Sequence, residues 1–489
     1  MQFPILSVLI FLPIITGVLL LFLPASRKNL VKWISLVTAS LILLLSVVVY
    51  FSYDIAAGGY QLIERANWVP ALGISYFVGI DGIGAPMVLL AGLVMFTGVM
   101  VSWGVDDRPR EFFSFMMFLG ASVLGVFCAL DLFMLFFFFE LAVFPKYLMI
   151  VLWGSQKTRN YGGMKLTLYL FIGSMIALVG ALAIYFGSGL RTFDMIALEG
   201  AGFSTGFQRL WFPFVFLGFG ILSGIFPFHS WAPDGHVAAP TAISMLLAGV
   251  EMKVGAFAAL RVAFMLLPEG ARYWSMAIMI LATINVVYGA FIALIQTDFK
   301  YVIGFSSVSH MGLVLIGFAT LNREGLIGAG MQMFSHGVMT ALFFSVVGMV
   351  YDRTHTRELS QLGGLFRKLP IAAVGFIVGG LVSMGMPGFS GFVAEFPIFM
   401  GVWQVQPVVA VIAILGVLIT AAYILLVVRR VFFGELPEAL VNVGDVTLKD
   451  KISTVLLAVI MIALGIFPSL MAPMISSGVD HILALLGGA

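Results

Sequence analysis

Apolar stretches of roughly twenty residues succeed one another along this chain with few interruptions. No other feature of the sequence constrains its fold as strongly. A helix needs about 20 mostly apolar residues to cross the hydrocarbon core of a bilayer. Such helices are expected at roughly 3–23, 30–53, 80–103, 112–129, 131–153, 163–187, 209–228, 239–264, 274–296, 301–321, 326–350, 370–402, 407–428 and 452–472. That makes about fourteen. The longest polar stretches are about 54–79, 188–208 and 430–451, none long enough for a soluble domain. The first apolar run lacks a basic segment before it and is long enough to span, so it is read as a retained helix. The expected fold is all-α and integral to the membrane.

Composition agrees. The 489 residues are 61% hydrophobic and 10% charged, against about 25% charged in a soluble protein. Lipid must be the main solvent. A single cysteine excludes a disulfide framework and any multi-cysteine metal or iron–sulfur site. A net charge of +2 gives no sign of a nucleic-acid partner.

Lysine and arginine are unevenly shared between alternate loops. The odd-numbered loops carry Arg27, Lys28, Arg108, Arg110, Lys157, Arg159, Lys300, Arg353, Arg357, Arg367, Lys368, Arg429, Arg430, Lys449 and Lys451. The even-numbered loops carry only Arg65, Arg191, Arg209, Arg272 and Arg323. The positive-inside rule places the odd loops in the cytoplasm and both termini outside.

Two segments break the helical pattern: FPFHSWAPDGHVAAP, 226–240, and MGMPGFSGFVAEF, 384–396. Proline removes a backbone donor and clashes with the preceding turn. Lipid cannot satisfy the freed carbonyls, so such backbone survives only against protein or a wet cavity. The breaks fall in the seventh and twelfth expected helices. Broken helices at corresponding places mark an inverted-repeat transporter. The expected division is 1–110 (helices one to three), 111–264 (first repeat), 265–430 (second repeat) and 431–489 (the last helix).

An ionisable side chain at mid-membrane costs about 2.5–3.5 kcal/mol or more, so it needs a reason to be there. The candidates are Glu140, Lys253, His310, His336 and Glu395. Glu140 lies within DLFMLFFFFELAVFPKYLMI. Balanced between burial and a nearby cation, a glutamate can bind and release a proton near neutral pH. The alternative is a protonated glutamate hydrogen-bonded between helices. Lys253, in SMLLAGVEMKVGAFAALRV, is too deep to reach an interface. A desolvated amine can exchange protons; the alternative is a fixed counter-ion. Glu251 lies about 200° round the same helix from Lys253 and is a weaker candidate. His310 and His336 sit on successive apolar helices and suit a relay, though either could be an ordinary core hydrogen-bonder. Glu395 follows the second break and could meet a wet cavity there, or cap the half-helix. His229, Asp234 and His236 belong to the first break, where they are expected to tie up loose backbone. Lys165 and Lys300 sit near helix ends as anchors, although Lys300 could also connect cavities. No carboxylate or cysteine is spaced to join the histidines around a metal.

At these residues the sequence resembles a known family. FHSWAPDGHVAAPTA (228–242), LAGVEMKVGAFAALR (247–261), QTDFKYVIGFSSVSHMG (296–312), FSHGVMTALFF (334–344), RTHTRELSQLGGL (353–365) and MPGFSGFVAEF (386–396) are similar to segments of the antiporter-like membrane subunits of respiratory complex I. That complex is the proton-translocating NADH:quinone oxidoreductase. The resemblance covers nearly the whole chain and is nearest to the M-type chain. It implies fourteen helices, two inverted five-helix repeats and a central line of charge and water. Glu140 matches the family's fifth-helix glutamate, Lys253 its eighth-helix lysine, and His310 and His336 its relay histidines. Glu395 matches a twelfth-helix position that is glutamate in the M-type chain and usually lysine in its sisters. One departure stands out. The family's seventh-helix lysine, which pairs with the fifth-helix glutamate, falls on Leu222. Lys146, six residues after Glu140 and next to Pro145, is the candidate substitute.

The resemblance implies a proton-translocating subunit without a redox centre or metal of its own. Flavin, iron–sulfur clusters and quinone would lie in partner subunits. Other membrane subunits would flank it in a bacterial inner (plasma) membrane. Protons would pass from Glu140 through Lys253, His310 and His336 to leave near Glu395. The rival readings are a subunit of a multisubunit cation/proton antiporter, a subunit of an energy-converting hydrogenase, or a structural scaffold.

Overall fold

The computed structural model describes residues 3–487. Helices dominate it: α1 (Ile5–Leu21), α2 (Lys28–Ser52), α3 (Gly84–Val101), α4 (Pro109–Cys128), α5 (Leu132–Leu141), α6 (Val143–Trp153), α7 (Arg159–Gly187), α8 (Met195–Glu199), α9 (Thr205–Ser223) and α10 (Trp231–Ala238). They continue with α11 (Thr241–Leu246), α12 (Met252–Ala258), α13 (Pro268–Ile295), α14 (Phe299–Ala319), α15 (Arg323–Thr354), α16 (Pro370–Ser383), α17 (Ser390–Val405), α18 (Pro407–Val427), α19 (Leu448–Ile466) and α20 (Ala472–Leu485). Among the described residues, twelve helical stretches are long and apolar enough to span a membrane. Two of the fourteen expected spans are not among them. The stretch 370–402 is the broken pair α16/α17, and 452–472 corresponds to α19.

The stretch 54–79 is more ordered than a polar loop. It forms an antiparallel hairpin, β1 (Gln61–Val69) with β2 (Ile74–Ile80), turned at Gly73. The all-α fold therefore carries one small sheet, and α3 begins at Gly84 rather than at 80. The hairpin anchors the first helix. The Glu64 carboxylate accepts the amides of Leu6 at 2.8 Å and Ser7 at 3.0 Å, a negative charge at the positive end of α1.

The helices differ in what surrounds them. Thr241–Phe264 and Arg323–Thr354 are buried along their whole apolar window, while α7 and α18 expose Leu168, Phe171 and Val179, and Val411, Leu415 and Leu418. The first pair form the axis; the second present apolar faces outward. Small residues let the axial helices meet. A Cβ on Gly337 of α15 would stand 2.6 Å from the Gly249 carbonyl.

The same construction occurs twice. Asp131 caps α5, and the loop after α7 returns to it: Leu132 N–H donates to Phe193 O at 2.8 Å and Met195 N–H to Leu130 O at 3.0 Å. Asp298 caps α14, and the loop after α15 returns likewise: Phe299 N–H to Arg357 O and Leu359 N–H to Thr297 O, both at 2.8 Å. Each helix before its partner break (α9, α16) ends at a left-handed glycine, Gly224 or Gly385. The helical stretches that begin at Thr241 and at Pro407 each end in a wide π turn carrying arginine, Ala259–Phe264 and Val428–Phe432.

Candidate functional site

The first break frees backbone groups between α9 and α10. Asn285 of α13 satisfies them, taking the Phe226 amide at 2.5 Å and donating to Gly224 O at 2.7 Å. Trp231 Nε1–H donates to Ile221 O at 2.8 Å. The residues expected to do this do something else. Asp234 pairs with Lys165 at 2.7 Å and accepts from Tyr301 Oη at 2.9 Å. His229 lies against Phe226 and Tyr288, and its Nδ1 has no protein partner. His236 is fully buried between Trp231 and Phe344, with neither ring nitrogen bonded. The break is closed by a side chain from a neighbouring helix, which leaves the histidines free.

Regular α-helical bonding also gives way between α11 and α12. A π turn at Leu247–Glu251 widens the helix, and π turns leave carbonyls without their regular donor. The Lys253 amine turns back to one of these, donating to Ala248 O at 2.5 Å. Lys253 is completely buried and makes no ion pair among the described residues.

His310 of α14 and His336 of α15 stack in parallel, ring centroids 5.2 Å apart and 10° between planes. His310 Nδ1 lies 2.8 Å from Ser306 O, which can only accept, so Nδ1 carries a proton. Its Nε2 lies 3.1 Å from Ser383 O, 3.3 Å from Ser383 Oγ and 3.7 Å from Glu395 Oε1. An unprotonated Nε2 can accept from the hydroxyl. A protonated one can donate to the carbonyl beside the carboxylate. One pocket therefore serves both states. His336 Nε2 reaches Ser307 Oγ at 3.2 Å while Nδ1 is unpartnered. Tyr423 supports the site by donating to Ser306 Oγ at 2.7 Å.

Glu395 is buried on α17. It accepts from Gln332 Nε2 at 3.3 Å and caps no backbone amide. Gly385 in the break makes room for it: a Cβ there would lie 2.8 Å from Oε2. Glu140 is half-buried near the end of α5, its Oε1 unpartnered. Lys146 does not pair with it. After the helix is interrupted at Ala142, the Lys146 amine points inward to Glu251, 2.5 Å from Oε2. Lys300 is buried and donates to Ala239 O at 2.6 Å. It lines a cavity of about 710 Å³ with Asp352, His355 and Arg357. Gly104, Ser155, Gln156, His355 and Arg357, among the residues that line this cavity, belong to odd-numbered loops.

Lys253, His310, His336 and Glu395 are thus gathered along the axis, with Lys300 below them. Glu140 and Lys146 lie to one side and His229 to another. Sequence reasoning gave His236 only a part in closing the break, and passed over Ser306, Ser307, Ser383, Gln332 and Tyr423. The serines four and three residues before His310 were a usable signal, being one helical turn away.

A family profile described as NADH:quinone oxidoreductase/Mrp antiporter, TM, matches residues 129–420. The chain belongs to this family. It is 36% identical to NADH-quinone oxidoreductase subunit M of Rhodobacter capsulatus, over 98% of this chain and 96% of that one. It is 35% identical to NAD(P)H-quinone oxidoreductase chain 4 of Gloeobacter violaceus, over 98% and 93%. Among solved structures, a chain of respiratory complex I from Thermus thermophilus superposes with TM-score 0.91 at 29% identity, covering 99% of this chain and all of that one. A chain of the Mrp complex from Dietzia sp. shares the fold, TM-score 0.87 at 21% identity. This antiporter-like subunit is of the subunit M, or chain 4, type. It is a multi-pass membrane protein, and its buried charge lies where the two broken helices meet the axis.

Proposed function

We propose that this subunit carries protons across a bacterial inner membrane within an NADH:quinone oxidoreductase, flanked by other membrane subunits. Flavin, iron–sulfur clusters and quinone belong to the partners, and this chain has no redox centre. Residues 111–264 and 265–430 act as inverted repeats, with the odd loops cytoplasmic and both termini outside. The observation that carries the reading is the buried file from a loop-side cavity at Lys300 to Glu395.

A proton taken up from the cytoplasmic cavity reaches the Lys300 region. His236, with two free ring nitrogens, lies within Coulombic reach of both Lys300 and Lys253. Lys253 in turn lies within Coulombic reach of His336 and His310. The stacked imidazoles pass the charge to Glu395, which releases it outside. Quinone reduction in the partners biases the file through Glu140.

The test is Lys253→Met in the assembled complex, reconstituted into vesicles. Quinone-coupled acidification should be lost while the subunits still co-purify. Full pumping by this variant overturns the proposal. The subunits that co-purify also separate a redox complex from a cation/proton antiporter.

A further inference from the structure

One buried ion pair takes no part in the file. Lys146 and Glu251 meet at 2.5 Å with side chains 2% and 1% exposed. The other oxygen of Glu251, Oε1, has no partner. Both residues line a small cavity with Leu222, Phe138, Phe139 and Val254, about 10 Å³ open to the centre of a water-sized sphere. That is room for about one water. Glu140 lies across the interruption at Ala142. It too has an unpartnered Oε1, and it is within Coulombic reach of the Lys146 amine.

Two carboxylates therefore share one ammonium. With all three charged, the trio holds a net charge of −1 inside the membrane. A buried carboxylate without a partner is costly, so whichever acid lacks the amine is the one that takes a proton. We infer that Lys146 is a two-position carrier, bound to Glu251 in one state and to Glu140 in the other, and that the freed carboxylate takes up one proton. The balance is simple. The ammonium keeps its three protons; as it crosses, an O–H bond forms on the acid it leaves and one breaks on the acid it reaches, so the trio stays at 0 in both states.

Glu251 closes the π turn whose Ala248 carbonyl holds Lys253. Discharging Glu251 changes the field at that turn. Lys146 and Glu251 are then positioning residues that join Glu140 to the axial file. The cavity also explains Leu222: an amine from α6 fills space that a longer side chain at 222 would reach. This inference rests on the proton-carrying reading above.

The test uses the whole complex in vesicles, with co-purification as the check on assembly. Lys146→Met and Glu251→Gln should each lower protons moved per quinone reduced by roughly tenfold, within the usual range of coupling between sites. The double variant Lys146→Met/Glu251→Gln removes both charges, so it should assemble even where a single does not, yet still pump poorly. Lys146→Met/Leu222→Lys returns an amine to the same cavity and should recover most of the loss. Among the infrared bands of protonated carboxylic acids that change during turnover, one component should be lost in Glu251→Gln, with those of Glu140 and Glu395 remaining. Pumping at the wild-type level by the double neutral variant, while Lys253→Met is inactive, overturns the inference and leaves the proton-carrying role standing. If Lys253→Met also pumps normally, the role itself falls.

Discussion

Arg261 offers the cleanest measurement of what a buried charge pair does in this fold. It sits on the π turn Ala259–Phe264, where its Nη1 meets Asp81 Oδ2 at 3.0 Å and donates to Tyr60 Oη at 2.9 Å. Its guanidinium also lies over the rings of Tyr60 and Phe257, at 5.1 and 4.9 Å from their centroids. Asp81 Oδ1 meanwhile holds the Gly84 amide at 2.6 Å, starting α3. Tyr60 continues the chain to Glu199 at 2.7 Å, and Glu199 to His481 at 3.1 Å. One arginine therefore ties the axial helix to the hairpin, to α8 and to α20. Arg261→Met leaves the Asp81 carboxylate buried and unpaired, and breaking a buried pair costs about 3–5 kcal/mol. The backbone amides still hold Asp81, so the lower figure applies, about 3 kcal/mol, or roughly a hundredfold in a local opening equilibrium. Arg261→Met/Asp81→Asn removes both charges and keeps an oxygen for the α3 amides. It should return to within a few tenths of the starting stability in decades of exchange. The assay is amide hydrogen exchange of the β1 and β2 strands in the purified complex, since exchange reports local opening free energies. Unchanged exchange in Arg261→Met, or a double variant that simply adds the two single effects, refutes the reasoning.

Two further outcomes follow from local geometry. Asp131 lies in the loop before α5, where burial pushes its carboxyl up to about 6 from an ordinary 3.8, against the amides of Ser75, Met134 and Phe133, which pull it down. The folded protein then binds this proton more tightly than the unfolded chain does. Protection at the start of α5, corrected for intrinsic exchange, should be greatest at about pH 4, fall towards about pH 6 and level off above it, and Asp131→Asn should flatten that slope. Gly255 packs α12 against α9, and a Cβ there would meet Ser223 N at 2.6 Å and Phe219 O at 2.8 Å. Backbone cannot yield as a side chain does, so Gly255→Ala should cost about 1–3 kcal/mol. Less subunit should then be recovered in the complex on native gels. Gly104→Ala, with nothing within 4 Å, should be recovered as wild type; equal recovery of both variants contradicts the close approach.

The helices were legible because a span announces itself by length and hydropathy, whatever it packs against. The two breaks were legible because proline and glycine act locally. What closes a break was not, since Asn285 comes from a different helix and its sequence neighbourhood carries no mark of the contact. The hairpin was hidden because residues 61–80 mix polar and apolar positions without strict alternation, and its pairing contains register shifts. Glu251 was misjudged for an instructive reason. Its angle from Lys253 was read correctly and made it a weaker candidate, but the opposite face of the helix meets Lys146. The spacing of Glu140 and Lys146 could not place the amine, because the helix between them is interrupted at Ala142.

The partner chosen by each buried or part-buried cation separates charges that hold the fold from charges that can move. Lys32, Lys165, Arg261, Arg353 and Arg357 rest on carboxylates: Asp106, Asp234, Asp81, Asp450 and Asp298. Lys253 and Lys300 rest on main-chain carbonyls instead, at Ala248 and Ala239, and His310 lies beside that of Ser383. Those carbonyls sit at a π turn, at the end of α10 and at the end of α16, where regular helix bonding stops. A carbonyl is a neutral dipole. It accepts a hydrogen bond from a charged amine and remains satisfied by a neutral one only at modest cost, whereas a carboxylate holds its cation in place. Irregular backbone inside a membrane thus supplies resting points that do not trap charge. Lys146 breaks this division, being fully buried beside the axis yet seated on a carboxylate. Its freedom to move then requires a second acid within reach, and Glu140 is placed to be that acid.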